Sequence, residues 1–250
     1  MAPPICHLII GERVFAQLPQ LNPTNYAGFL LGCVLVDVHA FSDIDRRATH
    51  FADRLVRDGP NALDRSCANF LSQLDSLLVC PWNELTSAEQ AFIAGYLCHL
   101  AADEDWKEFD WNTLRTTGMY LWTDLPVPGR VIVTTFDVLS SELYTDFSAL
   151  ISALSNVSVP DVLTHVPHWV FQTMWDVVKP HIMDGSIFEL HIEMTRGPGK
   201  TSAGTQSVCH QHDIYWEDAV ESVQRYFGGV QPRIQAMVQR SLETMPLLYQ

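Results

Sequence analysis

The stretch "GYLCHLAADEDW", residues 95–106, decides how the chain is read. It is an apolar run of core character that carries His99 and Asp103 four residues apart. On an α-helix, side chains at that spacing project from one face. Burying either group alone is costly, and imidazole nitrogen with carboxylate oxygen is a zinc-ligand pair. Taken alone, the pair is more simply read as a hydrogen-bonded core histidine beside an acid. The helix start lies upstream in "TSAEQ" (86–90), where Thr86 with Glu89, or Ser87 with Gln90, makes a capping-box pattern. The helix is expected to run from there to about residue 105.

Other polar residues interrupt apolar sequence in the same way. "GFLLGCVLVDVHAF" (28–41) places Asp37 and His39 at the end of a buried run. "DRRATHFAD" (45–53) brings His50 after a loop, and "PPICHLIIGE" (3–12) brings His7 at the start of another apolar segment. Five ligand-type residues (His7, Asp37, His50, His99 and Asp103) thus sit beside sequence that should be packed. A shared metal site would satisfy them together. Nitrogen and oxygen donors without thiolate suit zinc, and less often manganese or iron.

Composition bounds the alternatives. With 250 residues, 47% of them hydrophobic, the chain can bury a substantial core. Its net charge of -14 and scattered basic residues argue against nonspecific nucleic-acid binding. They also argue against docking on anionic lipid. The longest apolar run, "YAGFLLGCVLV" (26–36), is well short of the roughly 18–20 residues of a membrane span. "MAPPICHLIIGERVF" has no basic region before its apolar run, so no secretory leader is expected and a cytoplasmic location is inferred. The six cysteines are far apart without a CxxC pair and read as reduced core thiols.

Helical periodicity dominates the rest. Helices are expected at 5–18, 25–38, 61–79, 107–123, 137–155, 159–178 and 213–243. A turn is expected at 125–131, and short strands in "GRVIVTTF" (129–136) and "SIFELHIEMT" (186–195). "RGPGKTSAGTQS" (196–207) reads as a loop. Its "GPGKT" is not a P-loop, because Met194 stands where that motif requires glycine. The expected fold is a mainly α, single-domain helical bundle over 1–250, with a short β or irregular insertion near 186–207.

The order of a near-N-terminal His, then "GFLLGCVLVD", "RRATHF" and "AFIAGYLCHLAADEDW" resembles the zinc-dependent phospholipase C family, related to P1-type nucleases. It is closest to the leaderless bacterial members. The resemblance covers roughly residues 5–120, and 125–250 shows no family pattern. It implies an all-helical bundle with two or three zinc ions in a cleft. By resemblance, Asp37, His50 and His99 hold one zinc, and Asp103 bridges to a second held by His7. Val36 replaces the family's proline before the first Asp. The N-terminal Trp ligand of the secreted enzymes has no counterpart in Met-Ala-Pro-Pro. The ligands of a third zinc are also missing, with Glu104, Glu108 and Asp110 as candidate substitutes. Two zinc ions are expected.

That implies hydrolysis of a phosphoric ester. Zinc lowers the pKa of bound water to about 7, and paired ions stabilise both oxygens of an in-line displacement. Asp37 is the candidate to orient or deprotonate the water, and His39 or Asp43 to act as the acid. Arg46 and Arg47 are candidate phosphate contacts. The expected substrate is a small-molecule or lipid-like phosphoester, with no nucleic-acid partner and no stable membrane insertion. Two alternatives remain open. The zinc cleft could act as a Lewis acid in elimination, cyclisation or amide hydrolysis, or the metal could merely stabilise a binding protein. His165 and His168 lie three apart on an expected helix. His210, His212 and Asp213 could cap the last helix or reach over the cleft, with His212 a candidate substrate contact. Trp106, Trp111, Trp122, Trp169 and Trp175 are expected in the core more than in an apolar cleft.

Overall fold

The computed structural model describes residues 4–51, 66–109, 148–186, 229 and 232–243. It is mostly helical, with no strand among the described residues. The helices are α1 (Pro4–Phe15), α2 (Tyr26–Leu35), α3 (Arg46–His50), α4 (Ser66–Leu77), α5 (Ser87–Phe109), α6 (Ser148–Leu154), α7 (His168–Asp184) and α8 (232–243). None of the described helices is long and apolar enough to cross a membrane. The expected elements at 125–136, 186–207 and 213–231, and most of 107–123 and 137–147, lie outside the described residues.

The centre of the fold is the crossing of α2 and α5. Both are buried along most of their length. Small residues let the backbones touch. A Cβ on Gly95 would lie 1.9 Å from the Phe29 carbonyl oxygen, and one on Gly32 would lie 2.1 Å from that of Phe92. Gly28 faces Ala88 in the same way. Contacts advance together along both chains, from Gly28 with Ala88 to Gly32 with Tyr96, so the two helices run in the same direction. Their C-terminal halves therefore reach the same end of the bundle. Helix α1 lies against α2 with Gly11 on Cys33, and its N-terminal His7 stacks on His99.

Local signals explain the ends. Thr86 and Glu89 make the capping box: the Thr86 N–H donates to Glu89 Oε2 at 2.7 Å, and the Glu89 N–H donates to Thr86 Oγ1 at 3.3 Å. Asp45 caps α3 by accepting from the Arg47 N–H at 2.8 Å. Helix α2 ends at Leu35, short of the expected 38. A 3-10 turn over Val36–Ala40 follows, with Asp37 at φ -79° and ψ 25°, off the helical path. α3 stops at Phe51, which takes a left-handed φ of 52°. That conformation is strained for a residue with a Cβ. It is held by the Asn69 side-chain amide, which donates to the Phe51 carbonyl at 2.8 Å, and by ring contacts with Phe70 and His165.

The expected helix at 159–178 is corrected. Residues 157–167 form no helix, and Leu163 makes an isolated antiparallel bridge to Leu78. The Val79 N–H donates to the Val162 carbonyl at 3.2 Å, and the Thr164 N–H donates to that of Leu77 at 2.7 Å. Pro160 and Pro167 remove two donors a helix would need, and α7 begins only at His168. His165 and His168 are therefore not on one helix. Trp169, expected in the core, is 67% exposed, whereas Trp175 is buried. Cys6, Cys33, Cys67 and Cys98 are buried and Cys80 is half-buried, and none of the five is in a disulfide. α8 is fastened to α5 by Arg233, whose guanidinium donates to both oxygens of Asp105 at 2.6 and 2.9 Å.

Gly95→Ala forces the α2 and α5 backbones apart and is expected to cost about 3 kcal/mol in chemical denaturation, with loss of the site those helices build. His165 packs against the Phe51 and Tyr96 rings, and burial pulls its imidazole from 6.5 to about 4. It is neutral when folded and titrates near 6.5 when unfolded. Its contribution is complete above pH 6.5 and is lost as pH falls towards about 4, by up to about 1.4 kcal/mol per unit. Denaturation of His165→Leu across that range should show a shallower acid-side slope than the parent.

Candidate metal centre

Four segments meet at the end of the bundle where α2 and α5 finish their crossing. α1 brings His7, the turn after α2 brings Asp37 and His39, α3 brings Arg46 and His50, and α5 brings His99 and Asp103. His7, Asp37, His50, His99 and Asp103 are all buried to within 2%.

The distances are those of a ligand cluster. His50 Nε2 lies 3.1 Å from Asp37 Oδ1 and 3.5 Å from Asp103 Oδ2. His99 Nε2 is 3.8 Å from Asp37 Oδ1, and His7 Nε2 is 3.6 Å from Asp103 Oδ1. His39 Nδ1 is 3.7 Å from Asp37 Oδ1. Three groupings offer donor atoms all within 4.8 Å of one another: His7, Asp37 and His99; Asp37, His39 and His50; and His50, His99 and Asp103. All five residues expected as ligands thus come together, and His39 joins them from the half-buried rim.

Hydrogen bonds behind the rings fix which nitrogen faces inward. His99 Nδ1 is 2.8 Å from the Cys33 carbonyl oxygen, which can only accept, so Nδ1 carries the proton and Nε2 the lone pair. Thr49 Oγ1 donates to the Arg46 carbonyl at 3.1 Å. Its one proton is then used, so it accepts from His50 Nδ1 at 2.9 Å. His50 Nε2 also turns its lone pair inward. Such support behind ligand imidazoles is a usual feature of metal sites. The Thr49 backbone carbonyl in turn accepts from the buried Tyr96 hydroxyl. These supports went unread in the sequence. Thr49 directly before a ligand His was the available signal.

Those lone pairs confront carboxylate oxygens. His7 Nε2, His50 Nε2, His99 Nε2, His39 Nδ1 and Asp37 Oδ1 are buried without a hydrogen-bond partner. Protonating the imidazoles would resolve the conflict, but burial opposes it at His7, His39 and His50. Burial, reinforced by the stacked His99, pulls His7 to about 3. Burial also pulls His39 to about 4 and lowers His50. Burial works to raise the Asp37 carboxyl, yet the imidazoles of His99, His50 and His39 hold it well below the usual carboxylate range. Asp103 is likewise held ionised against burial, with Arg46 among its cationic neighbours. Two buried carboxylates facing imidazole nitrogens that have no hydrogen-bond partner fit a divalent cation, and the donor set fits zinc.

The other expected residues are placed as follows. Arg46 is paired with Asp103. Arg47 is exposed and paired with Asp45 outside the cluster. Asp43 is exposed. Glu104, a candidate third-zinc ligand, instead accepts from the Cys67 N–H at 2.7 Å at the start of α4, and burial raises it to about 7. The Glu108 side chain, Asp110, His210, His212 and Asp213 lie outside the described residues.

A helical bundle with a cluster of N/O donors at one end defines the class as a mainly α protein with a candidate metal site. More specifically, the model of the zinc-dependent phospholipase C family matches residues 6–105 and supports the resemblance read in the sequence. His7, Asp37, His39, His50, His99 and Asp103 all fall inside that match. No curated protein and no solved structure matches the chain.

Metal uptake should be visible as stability. At a free zinc concentration a hundred times Kd, the folded state gains about 2.7 kcal/mol. The thermal midpoint is expected to rise when zinc replaces chelator. The rise should vanish in His99→Ala and Asp103→Ala, with metal content by elemental analysis falling in parallel.

Proposed function

We propose that this protein is a zinc-dependent hydrolase of phosphoric esters, acting on a lipid-like or small-molecule phosphoester. The observation that carries the reading is the buried cluster itself, in which the Nε2 atoms of His7, His50 and His99 converge on the carboxylates of Asp37 and Asp103 inside the family-matched segment. Bound there, zinc supplies Lewis acidity and a nucleophile at neutral pH.

The chain's own residues do the rest. His7, Asp37, His50, His99 and Asp103 would hold two ions. Asp103, with Oδ1 3.6 Å from His7 Nε2 and Oδ2 3.5 Å from His50 Nε2, is the carboxylate we assign to the shared position. Ionised Asp37 is assigned to orient the attacking water. His39, half-buried at the rim with Nδ1 3.7 Å from Asp37, is assigned to proton transfer between solvent and the site. Arg46, a quarter exposed and paired with Asp103, is assigned to contact the phosphoryl oxygens.

Zinc-loaded protein is expected to hydrolyse at least one of p-nitrophenyl phosphate, bis-p-nitrophenyl phosphate and micellar phospholipid, followed by phosphate or nitrophenol release. Asp37→Asn should lower kcat by at least about a hundredfold. Fully zinc-loaded protein that turns over none of the three, at any pH from 5 to 9, refutes the reading.

A further inference from the structure

Arg46 is the one guanidinium among the described residues that enters the cluster, and its geometry is unusual. Its Nη2 donates to Asp103 Oδ2, the oxygen that also lies 3.5 Å from His50 Nε2. Its Nε is buried without an acceptor. A buried N–H left unpaired is costly, and a guanidinium presents its donors as a fork matched to carboxylate or phosphate. One edge of the fork is thus engaged by Asp103 while Nε waits for an acceptor. The side chain as a whole is a quarter exposed.

Charge accounting adds a second constraint. Arg46 sets a fixed positive charge directly against the Asp103 carboxylate. A cation entering the cluster meets Arg46 as a like charge and as a competitor for Asp103 Oδ2. An anion arriving afterwards meets a fork that the cation has loosened from its carboxylate.

Resting on the phosphoester reading above, we propose that Arg46 couples metal and phosphate binding through Asp103. The guanidinium and the metal compete for one carboxylate oxygen, which limits metal affinity. The displaced guanidinium then takes a phosphoryl oxygen with the Nε–H that otherwise lacks an acceptor. Arg46 is on this account a binding residue for the anionic group and a regulator of the centre's affinity. Metal and phosphoester should therefore bind with positive cooperativity.

The test compares the parent, Arg46→Gln and Arg46→Lys. Zinc affinity is read by competition with a chromophoric chelator, and inorganic phosphate binding to the zinc-loaded protein by calorimetry. Arg46→Gln is expected to bind zinc at least about fivefold more tightly, having lost the like charge. It should bind phosphate about tenfold more weakly, having lost the fork. Arg46→Lys keeps the charge but not the fork. It should bind zinc within about twofold of the parent and phosphate several-fold more weakly, which keeps the test open if the glutamine variant fails to fold. Arg46→Gln binding zinc no more tightly than the parent overturns the proposal, as does either variant binding phosphate as the parent does. A parent that takes up no zinc refutes the metal-centre reading as well. A parent that binds zinc and turns over phosphoester, with variants indistinguishable from it, refutes the role of Arg46 alone.

Discussion

Everything at the metal centre depends on how closely two helix backbones approach. At Gly32 and Gly95 there is no room for even one carbon between α2 and α5. The approach brings the Cys33 carbonyl within hydrogen-bonding distance of His99, and a wider spacing would leave that imidazole free to rotate. Because the helices run in the same direction, the residues that follow the contact on each chain, Asp37 on one and Asp103 on the other, arrive at the same place. The small residues thus act on the chemistry without touching it. They convert a packing constraint into a fixed tautomer and a fixed separation between two carboxylates.

The electrostatics of the centre are organised against protonation. Burial favours neutral imidazole and would favour neutral carboxyl as well, yet the carboxyls stay ionised because imidazoles and Arg46 surround them. Such a cluster is poorly satisfied by its own atoms. Buried polar groups are ordinarily paired, so a concentration of unpaired ones at a single point carries more information than any one distance. The same logic separates His165, which also has no hydrogen-bond partner but packs against the Phe51 and Tyr96 rings and faces no carboxylate among the described residues.

Much of this was legible in the sequence for a simple reason: local interactions write local patterns. The Thr86–Glu89 capping box and the four-residue spacing of His99 and Asp103 need no knowledge of the fold, and both are realised. The ligand-type residues betray themselves by interrupting apolar sequence. What was not legible is what depends on partners distant in the chain. Residues 157–167 look helical because Val159, Val162, Leu163 and Val166 are apolar at suggestive spacings, but each is buried by a segment pinned to Leu78. Trp169 shows the converse, a large apolar side chain whose position on the first turn of α7 leaves it outside. The pairing of Arg46 with Asp103 spans 57 residues and leaves no local mark. Glu104 sits beside a ligand in sequence but turns to the other face of α5, because the start of α4 offers it an unpaired N–H.

The clamp between Arg233 and Asp105 has a consequence for the order in which the protein is made. Every residue of the metal cluster lies within the first 103 of the chain, whereas the guanidinium that secures the end of α5 is residue 233. At about 5–20 residues per second, synthesis separates the two by on the order of ten seconds. During that interval the nascent chain already carries the imidazoles and carboxylates of the cluster but lacks the contact that fastens α8 to α5.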